Sequence, residues 1–299
     1  MTDKFGLFGE PQKAKHLHLE EALKSPNHLG KDYCVMQKFD GWFMYIDCVN
    51  GVWQGIRSKA GRLLPSMAAY SRAFEKAELS DLSFRLIFEA YIPGVVFKDQ
   101  NGLYNQKKTE LNNVDLMCHD ILFLSYPHST FTKRYSRLTT ACARLSTVVP
   151  AVQLVPILAT SQSKEEWLNY YEDVLKLPQG EGIILKEAHA EYTQKARNAG
   201  ILKIKCELTL DVLVTGMTEG KKGSKYKNTL GVLIVREASG KEHPVSGMTD
   251  EQRTLWWDTP EIIMDAVVEI QAMKRLPNGS LREARFKAER HDKSVEDID

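Results

Sequence analysis

No stretch of the 299-residue sequence is apolar for long enough to cross a bilayer, and the N-terminal MTDKFGLFGEPQKAK lacks the continuous hydrophobic segment of a secretory signal, so neither membrane insertion nor secretion is expected. The chain also lacks a charge excess of either sign. Lys plus Arg number 40 against 39 Asp plus Glu, a formal net charge of +1, so a polyanionic partner would have to be met by local clusters and not by the overall field. Cysteine is sparse: Cys34, Cys48, Cys118, Cys142 and Cys206 are scattered, without a pair at metal-ligand spacing. That excludes a zinc framework and points to reduced, mostly buried thiols in a cytoplasmic protein. Gly and Pro are not in excess and there are no internal repeats or low-complexity segments. What remains is an ordinary globular composition on a chain too long for one hydrophobic core, so two domains are expected.

The segment Leu19 to Leu23 reads as a short helix ended by Ser25-Pro26-Asn27. Strand patterns follow at Tyr33 to Gln37, Trp42 to Val49 and Val52 to Arg57, the last two joined by Asn50-Gly51, the pair best suited to a type I′ hairpin turn. Leu86 to Tyr91, Val114 to Leu124, Ile183 to Lys186 and Ile201 to Lys205 are further strand-length apolar runs. Leu138, Cys142 and Leu145 recur at helical spacing, and Ser163-Lys-Glu-Glu166 reads as a capping box opening a helix towards Leu175. Beyond Cys206 come short strands at Leu210 to Gly216, Leu230 to Arg236 and Ala266 to Met273, with one helix opened by Thr249-Asp-Glu-Gln252. Roughly ninety residues of this content suit a five-stranded barrel of the OB type. The expected fold is therefore α+β, residues 1–205 forming one domain and 206–299 an OB-fold domain. Trp256-Trp257 reads as the buried face of the short helix.

Lys38-Phe39-Asp40-Gly41 lies between two strands. A lysine leaving a buried strand is desolvated, which lowers its pKa and frees the amine for nucleophilic attack. Alone, the same residues also describe a surface lysine beside a turn. Glu181-Gly-Ile-Ile-Leu-Lys186 and Lys203-Ile-Lys205 follow, with Tyr192 and Arg197 between them. Alternation on a strand puts Lys203 and Lys205 on one face, and the apolar Ile201, Leu202 and Ile204 mark that strand as buried, where cations need an anion. Glu89 and Glu181 are likewise carboxylates embedded in apolar runs. Lysines and two carboxylates converging on one cleft suit a nucleoside triphosphate with Mg²⁺.

In this order, the motifs resemble those of the covalent nucleotidyltransferase superfamily, the ATP-dependent DNA ligases, RNA ligases and mRNA capping enzymes, and their layout is most similar to compact bacteriophage-type DNA ligases. The K-x-D-G lysine corresponds to Lys38. Ser58-Lys59-Ala60-Gly61, with Arg57 ahead of it, is similar to S-R-x-G; Glu89, the strand Met117-Cys118-His119-Asp120, the E-G-x-x-x-K strand and the K-x-K strand follow. Arg282 to Lys293, with Arg285, Arg290, Asp292 and Lys293, resembles the R-x-D-K ending of the OB domain. The resemblance implies an ATP-dependent DNA ligase that seals 5′-phosphate/3′-hydroxyl nicks in duplex DNA through lysyl-AMP on Lys38. It implies nucleotide contacts from Met36, Gln37, Phe39, Arg57, Lys59, Glu89, His119, Lys186, Lys203 and Lys205. Metal contacts would come from Glu89 and Glu181, and DNA or OB-domain contacts from Arg285, Arg290, Asp292 and Lys293. ATP and Mg²⁺ are the implied cofactors and nicked double-stranded DNA the partner of an expected monomer. An N-terminal DNA-binding clamp is not expected, because few residues precede Lys38.

The chain departs from the family pattern at several positions. Phe43 stands where relatives carry Arg, Lys59 where S-R-x-G has Arg, Phe88 where a Gly precedes the glutamate, and Met36 where Glu or Gln reads the adenine amino group. His119 stands where an aromatic ring stacks on adenine, and a neutral imidazole can also stack. In the second domain Lys221, Lys222, Lys225 and Lys227 share a Gly-rich loop. Such a loop alone is a solvated charge run; on a ligase OB domain it becomes a clamp on DNA phosphates. The alternatives are an RNA ligase or capping-type guanylyltransferase, and a nick-binding protein that has lost its chemistry.

Overall fold

The computed structural model describes residues 5–17, 30–77, 83–95, 97–177, 180–205, 207–276 and 278–299. The helix read at Leu19 to Leu23 and Cys206 lie outside them. Two compact units divide the chain, Met1–Lys205 and Cys206–Asp299.

The first unit is built on two five-stranded sheets. One has the order β1 (Lys15–His16), β10 (Ile201–Lys205), β9 (Gly180–Glu187), β2 (Tyr33–Phe39), β8 (Ile157–Ser161). The other runs β4 (Val52–Ser58), β3 (Trp42–Val49), β5 (Phe84–Tyr91), β6 (Asp115–Phe123), β7 (Val152–Leu154). Among the described residues of this unit, only β1–β10 and β6–β7 pair in parallel. At the β3–β4 turn Asn50 and Gly51 both take positive φ, 49° and 79°, as the type I′ reading requires. Helices α1 (Ala68–Phe74), α2 (Phe97–Asn105), α3 (Phe131–Leu145) and α4 (Lys164–Leu175) complete the unit. α3 buries Phe131, Arg134, Leu138, Ala141, Cys142 and Leu145, one helical stripe, and the Ser163 side chain caps α4 by accepting from the Glu166 amide. Leu138 and Leu145 pack with Ile46, Leu86 and Ile121 of the second sheet, whereas Trp167 and Val174 of α4 pack with Tyr33, Ile183 and Leu202 of the first. A smaller cluster (Cys34, Met36, Met117, Phe131, Val155) contains residues of both sheets.

A polar anchor fixes the N-terminal residues to this core. Arg85, fully buried on β5, donates from Nε and Nη2 to the Asp47 carboxylate at 2.7 and 2.8 Å. It also donates to the carbonyls of Gly9 and Phe5 at 2.7 and 2.5 Å and lies 3.8 Å over the Tyr45 ring. All the guanidinium's edges are occupied, so the charge is tolerated inside.

In the second unit β11 (Leu208–Glu219), β12 (Leu230–Arg236), β13 (Glu242–Val245), β14 (Val267–Ala272) and β17 (Arg285–Glu289) form an antiparallel sheet of order β13-β12-β11-β14-β17. β15 (Lys274–Arg275) and β16 (Leu281–Arg282) make a separate hairpin. The barrel expected from sequence is not closed by a continuous ladder. Just beyond β13, Ser246 bridges to Arg285 of β17, with the Phe286 amide donating to the Ser246 carbonyl at 2.7 Å. This is the partly open closure of an OB-type barrel. α5 (Asp250–Asp258) starts in a full Thr249/Gln252 capping box and drives Trp256 into the core against Phe286. Of the pair read as the buried face, Trp256 lies in the core and Trp257 packs half-buried against it. Among the described residues no helix is long and apolar enough to cross a membrane.

Candidate functional site

Lys38 sits where the β2–β9 ladder slips. Gln37 pairs with Ile183, but the next pair is Phe39 with Gly180, so Lys38 falls in the break beside Glu181. Bulges of this kind re-aim one side chain out of the regular pleat. Two glycines make room for it. A Cβ on Gly41 would lie 2.6 Å from the Ala90 carbonyl and 2.9 Å from Cγ of Glu89, and one on Gly182 (φ 131°) would strike the Ile204 carbonyl at 2.0 Å. The glycines of K-x-D-G and E-G-x-x-x-K thus let β5 and β10 close against the lysine and the glutamate. The sequence suggested a desolvated lysine; the structure gives the amine a partner, since Lys38 Nζ donates to the buried Glu181 carboxylate.

A cavity of about 290 Å³ opens between the two sheets of the first unit. Of the residues expected at a nucleotide site, Met36, Gln37, Lys38, Phe39, Lys59, Glu89, His119, Lys186, Lys203 and Lys205 line it. Arg57 does not: its Nη1 donates to the Gly61 carbonyl at 3.0 Å, bracing the turn that carries Lys59. Lys59 is therefore the cation this segment delivers to the cavity, and its side chain lies over the Phe43 ring. Glu181 also lies outside the lining, behind Lys38. Arg197, Gln12, Phe43 and Ile184 line the cavity without having been assigned a role from sequence. Gln12 reaches it because its backbone amide donates to Tyr192 Oη, while its side chain accepts from the Thr193 amide and donates to Asn198.

Positive charge is crowded here. Burial pushes Lys203 down to about 8, helped by the nearby charges of Lys205, Lys38, Lys59 and Arg197. Burial also lowers Lys59, against the pull of Glu89. Such a cluster is stabilised by an anion that compensates several cations together. His119 is neutral: burial, then the Lys186 charge, lower it to about 3. Burial alone would raise the neighbouring Asp120 carboxyl, but Arg134 and Lys186 hold it well below the usual carboxylate range. Arg134 donates to both Asp120 oxygens at 2.8 and 3.2 Å, and Lys186 Nζ lies 3.1 Å from Oδ2.

Burial pushes the Glu89 carboxyl up to about 7, opposed by Lys38 and Lys59. A carboxyl raised above its ordinary 4.5 contributes stability that is full below that value and lost as pH rises through about 7. Between those limits this group makes the free protein less stable as pH rises. Glu89→Gln should remove that component and melt above wild type near about pH 8, read by thermal unfolding without nucleotide or metal.

In the second unit Lys225 pairs with Asp250 at 2.9 Å, whereas Lys221, Lys222 and Lys227 are exposed and unpaired with any described residue. Arg285 is exposed, 3.5 Å from Glu283. Arg290 and Lys293 are not free cations, because both bind Asp211, and Arg290 also grips Asp292 at 2.8 and 2.9 Å and Glu269 at 3.3 Å. The R-x-D-K ending is thus a self-contained network that fastens the C-terminal segment to β11 and β14. Among the described residues no three or more His, Cys, Asp and Glu side chains gather as a metal-binding group.

No protein-family model matches the chain. Over 189 residues it is 32% identical to a probable DNA ligase of Anaeromyxobacter dehalogenans, and over 181 residues 31% identical to one of Anaeromyxobacter sp. strain K. Each match covers 52% of this chain and 35% of the relative, so the chain spans about a third of the length of these relatives. Among solved structures it is similar to Pmar-Lig_Pre, with a TM-score of 0.75 at 20% identity over 94% of this chain and 67% of that one. It is also similar to a Lig E DNA ligase (TM-score 0.68, 20% identity, 94% and 98% covered) and to the ATP-dependent DNA ligase of bacteriophage T7 in complex with ATP (0.54, 18%, 94% and 98%). The chain has the fold of the compact ATP-dependent DNA ligases, an α+β unit followed by an OB-type unit.

Proposed function

We propose that the chain is an ATP-dependent DNA ligase that seals nicks in duplex DNA, with Lys38 as the residue that carries AMP. The observation that carries this reading is the convergence on one cavity of Lys38, Lys59, Arg197, Lys203 and Lys205 with the apolar Met36 and Ile184 and the neutral His119. The cations suit a triphosphate, and the apolar and imidazole surfaces suit a base. Glu181 is placed to take the proton of the Lys38 ammonium, since burial raises its carboxyl towards basicity. The Lys38 amine then attacks the α-phosphorus, an N–P bond forms, and pyrophosphate leaves into the field of Lys59, Lys203 and Lys205. AMP passes to the 5′-phosphate at the nick, and attack by the 3′-hydroxyl forms the phosphodiester and releases AMP. Glu89 suits Mg²⁺, which takes one or two protein carboxylates and completes its shell with water and phosphate oxygens. There the ion would neutralise phosphate charge. Glu181, occupied by Lys38, is assigned to the lysine in preference to the metal.

Incubation with ATP or GTP labelled on the α-phosphate, followed by a denaturing gel, tests the reading. Label from ATP alone, chased off the protein and recovered as free AMP when a nicked duplex is added and sealed, is the expected result. Label from GTP alone would make the chain a guanylyltransferase, and no label with either would leave a nick-binding protein.

The lysine loop supplies a test of the DNA partner. Lysines that neutralise phosphates release counterions, so binding should weaken with salt at a slope of roughly −0.9 per phosphate. Replacing Lys221, Lys222, Lys225 and Lys227 together by Ala should flatten that slope by about three, one for each unpaired lysine, and leave lysyl-AMP formation almost unchanged. Unchanged affinity and slope would make the loop a solvated surface.

A further inference from the structure

We propose that Lys186 is a positioning residue that acts through His119, holding the imidazole in its Nε2–H tautomer and in one plane against the nucleotide base, and that it does not itself bind phosphate. This rests on reading the cavity as a nucleotide site. An ammonium has three protons to donate, and three acceptors surround Lys186 Nζ: the His119 carbonyl at 2.7 Å, Asp120 Oδ2 at 3.1 Å and His119 Nδ1 at 3.2 Å. Lys186 is 3% exposed, so no proton is left for a ligand. Lys203, which lines the same cavity, has no such set of acceptors among the described residues. Asp120 cannot turn away, because Arg134 grips both its oxygens and is itself fixed to the Ser129 carbonyl at 2.7 Å.

A ring nitrogen that accepts from an ammonium carries no proton, so the neutral imidazole has its proton on Nε2. The charged groups acting on the ring are Lys186, Asp120 and Lys59; burial, Lys186 and Lys59 keep it neutral against the pull of Asp120. Phe43 borders it, ring centroids 5.9 Å apart at 54°. A phenylalanine here would present its face without any further device. A histidine has two neutral tautomers and two polar edges, and needs a partner that selects one arrangement. Lys186 is that partner, donating to the side chain and the backbone of the same residue.

Long-range proton–nitrogen correlation spectra of histidine-labelled full-length protein, without nucleotide at neutral pH, read the tautomer directly. His119 is assigned by the signal lost in His119→Phe. The expected result is a protonated Nε2 and a bare Nδ1; an Nδ1–H tautomer or an imidazolium overturns the proposal. Equilibrium ATP binding by wild type, Lys186→Met, His119→Phe and the double variant then tests the route of action. Lys186→Met should weaken binding about tenfold, the size of one lost buried hydrogen bond, and His119→Phe should bind within a few-fold of wild type. In the His119→Phe background the Lys186→Met loss should nearly vanish. An equal loss in both backgrounds would mean that Lys186 touches the phosphates. If wild type binds no ATP, the nucleotide reading fails and takes the base-positioning role with it, whereas the tautomer measurement still decides whether the lock exists.

Discussion

Lys38→Ala should abolish label transfer from ATP to the protein and reduce sealing of an ordinary nick by several orders of magnitude, because no other group in the cavity is placed as Lys38 is. The amine is set in a break of the β2–β9 ladder and bound to Glu181, so nucleophile and proton acceptor are already in contact. The loss should be confined to the steps that use the amine. A nick already carrying 5′-AMP should still be sealed at a substantial fraction of the wild-type rate, since the final attack comes from the 3′-hydroxyl. Removing Lys38 leaves Glu181 buried without its cation, so Lys38→Ala/Glu181→Gln serves as the fold control. Equal loss on both nicks would mean that Lys38 supports the site without being its nucleophile.

The second large effect is on stability. Arg85→Met removes the cation from a buried pair and leaves Asp47 and the Phe5 and Gly9 carbonyls without their donor. Breaking such a pair from one side costs about 3–5 kcal/mol, and a denaturant midpoint shift of that size is expected for the first unit. Arg85→Met/Asp47→Leu should recover much of the loss, because an apolar pair of similar volume suits the core. It should not recover protection of the N-terminal residues from proteolysis, since the Phe5 and Gly9 carbonyls still lack the Arg85 donor. Gln12 and Ala14 of that segment line the cavity, so ATP binding should stay weakened in the double variant. A single variant as stable as wild type would show that Arg85 is not the anchor.

The parts legible in the sequence are those where local pattern and tertiary demand agree. β3 and β4 follow from alternating apolar runs around Asn50-Gly51, α5 from its capping box, and β10 coincides with its apolar run. β13 was missed because Pro244 breaks its pattern, and an edge strand tolerates that residue. β17 was missed because Arg285-Phe-Lys-Ala-Glu289 offers a single large apolar residue and pairs through its backbone on the edge of the sheet. Within the site, motif order located Lys38, Glu89, Lys203 and Lys205, but it could not say which of Arg57 and Lys59 faces the cavity. That depends on a side chain folding back onto the Gly61 carbonyl. Gln12 and Arg197 reach the cavity only through long-range hydrogen bonding between the N-terminal residues and the 192–198 segment. Arg85 and Asp47 leave a signal in the sequence, single charges inside apolar strands. The motif implies a nucleotide contact for Lys186, but not that its protons go to His119 and Asp120.

The central claim is that Lys38 carries AMP, and the most direct measurement is to locate the adduct. Lys203 is the rival with chemical merit, since its pKa is lowered to about 8 and it lines the same cavity. Wild-type protein incubated with ATP and Mg²⁺ should be digested under conditions that preserve N–P bonds and its peptides sequenced by mass spectrometry. A single AMP group on Lys38, with pyrophosphate released in equal amount, is the expected result; AMP on Lys203, or on no lysine of the cavity, would contradict it.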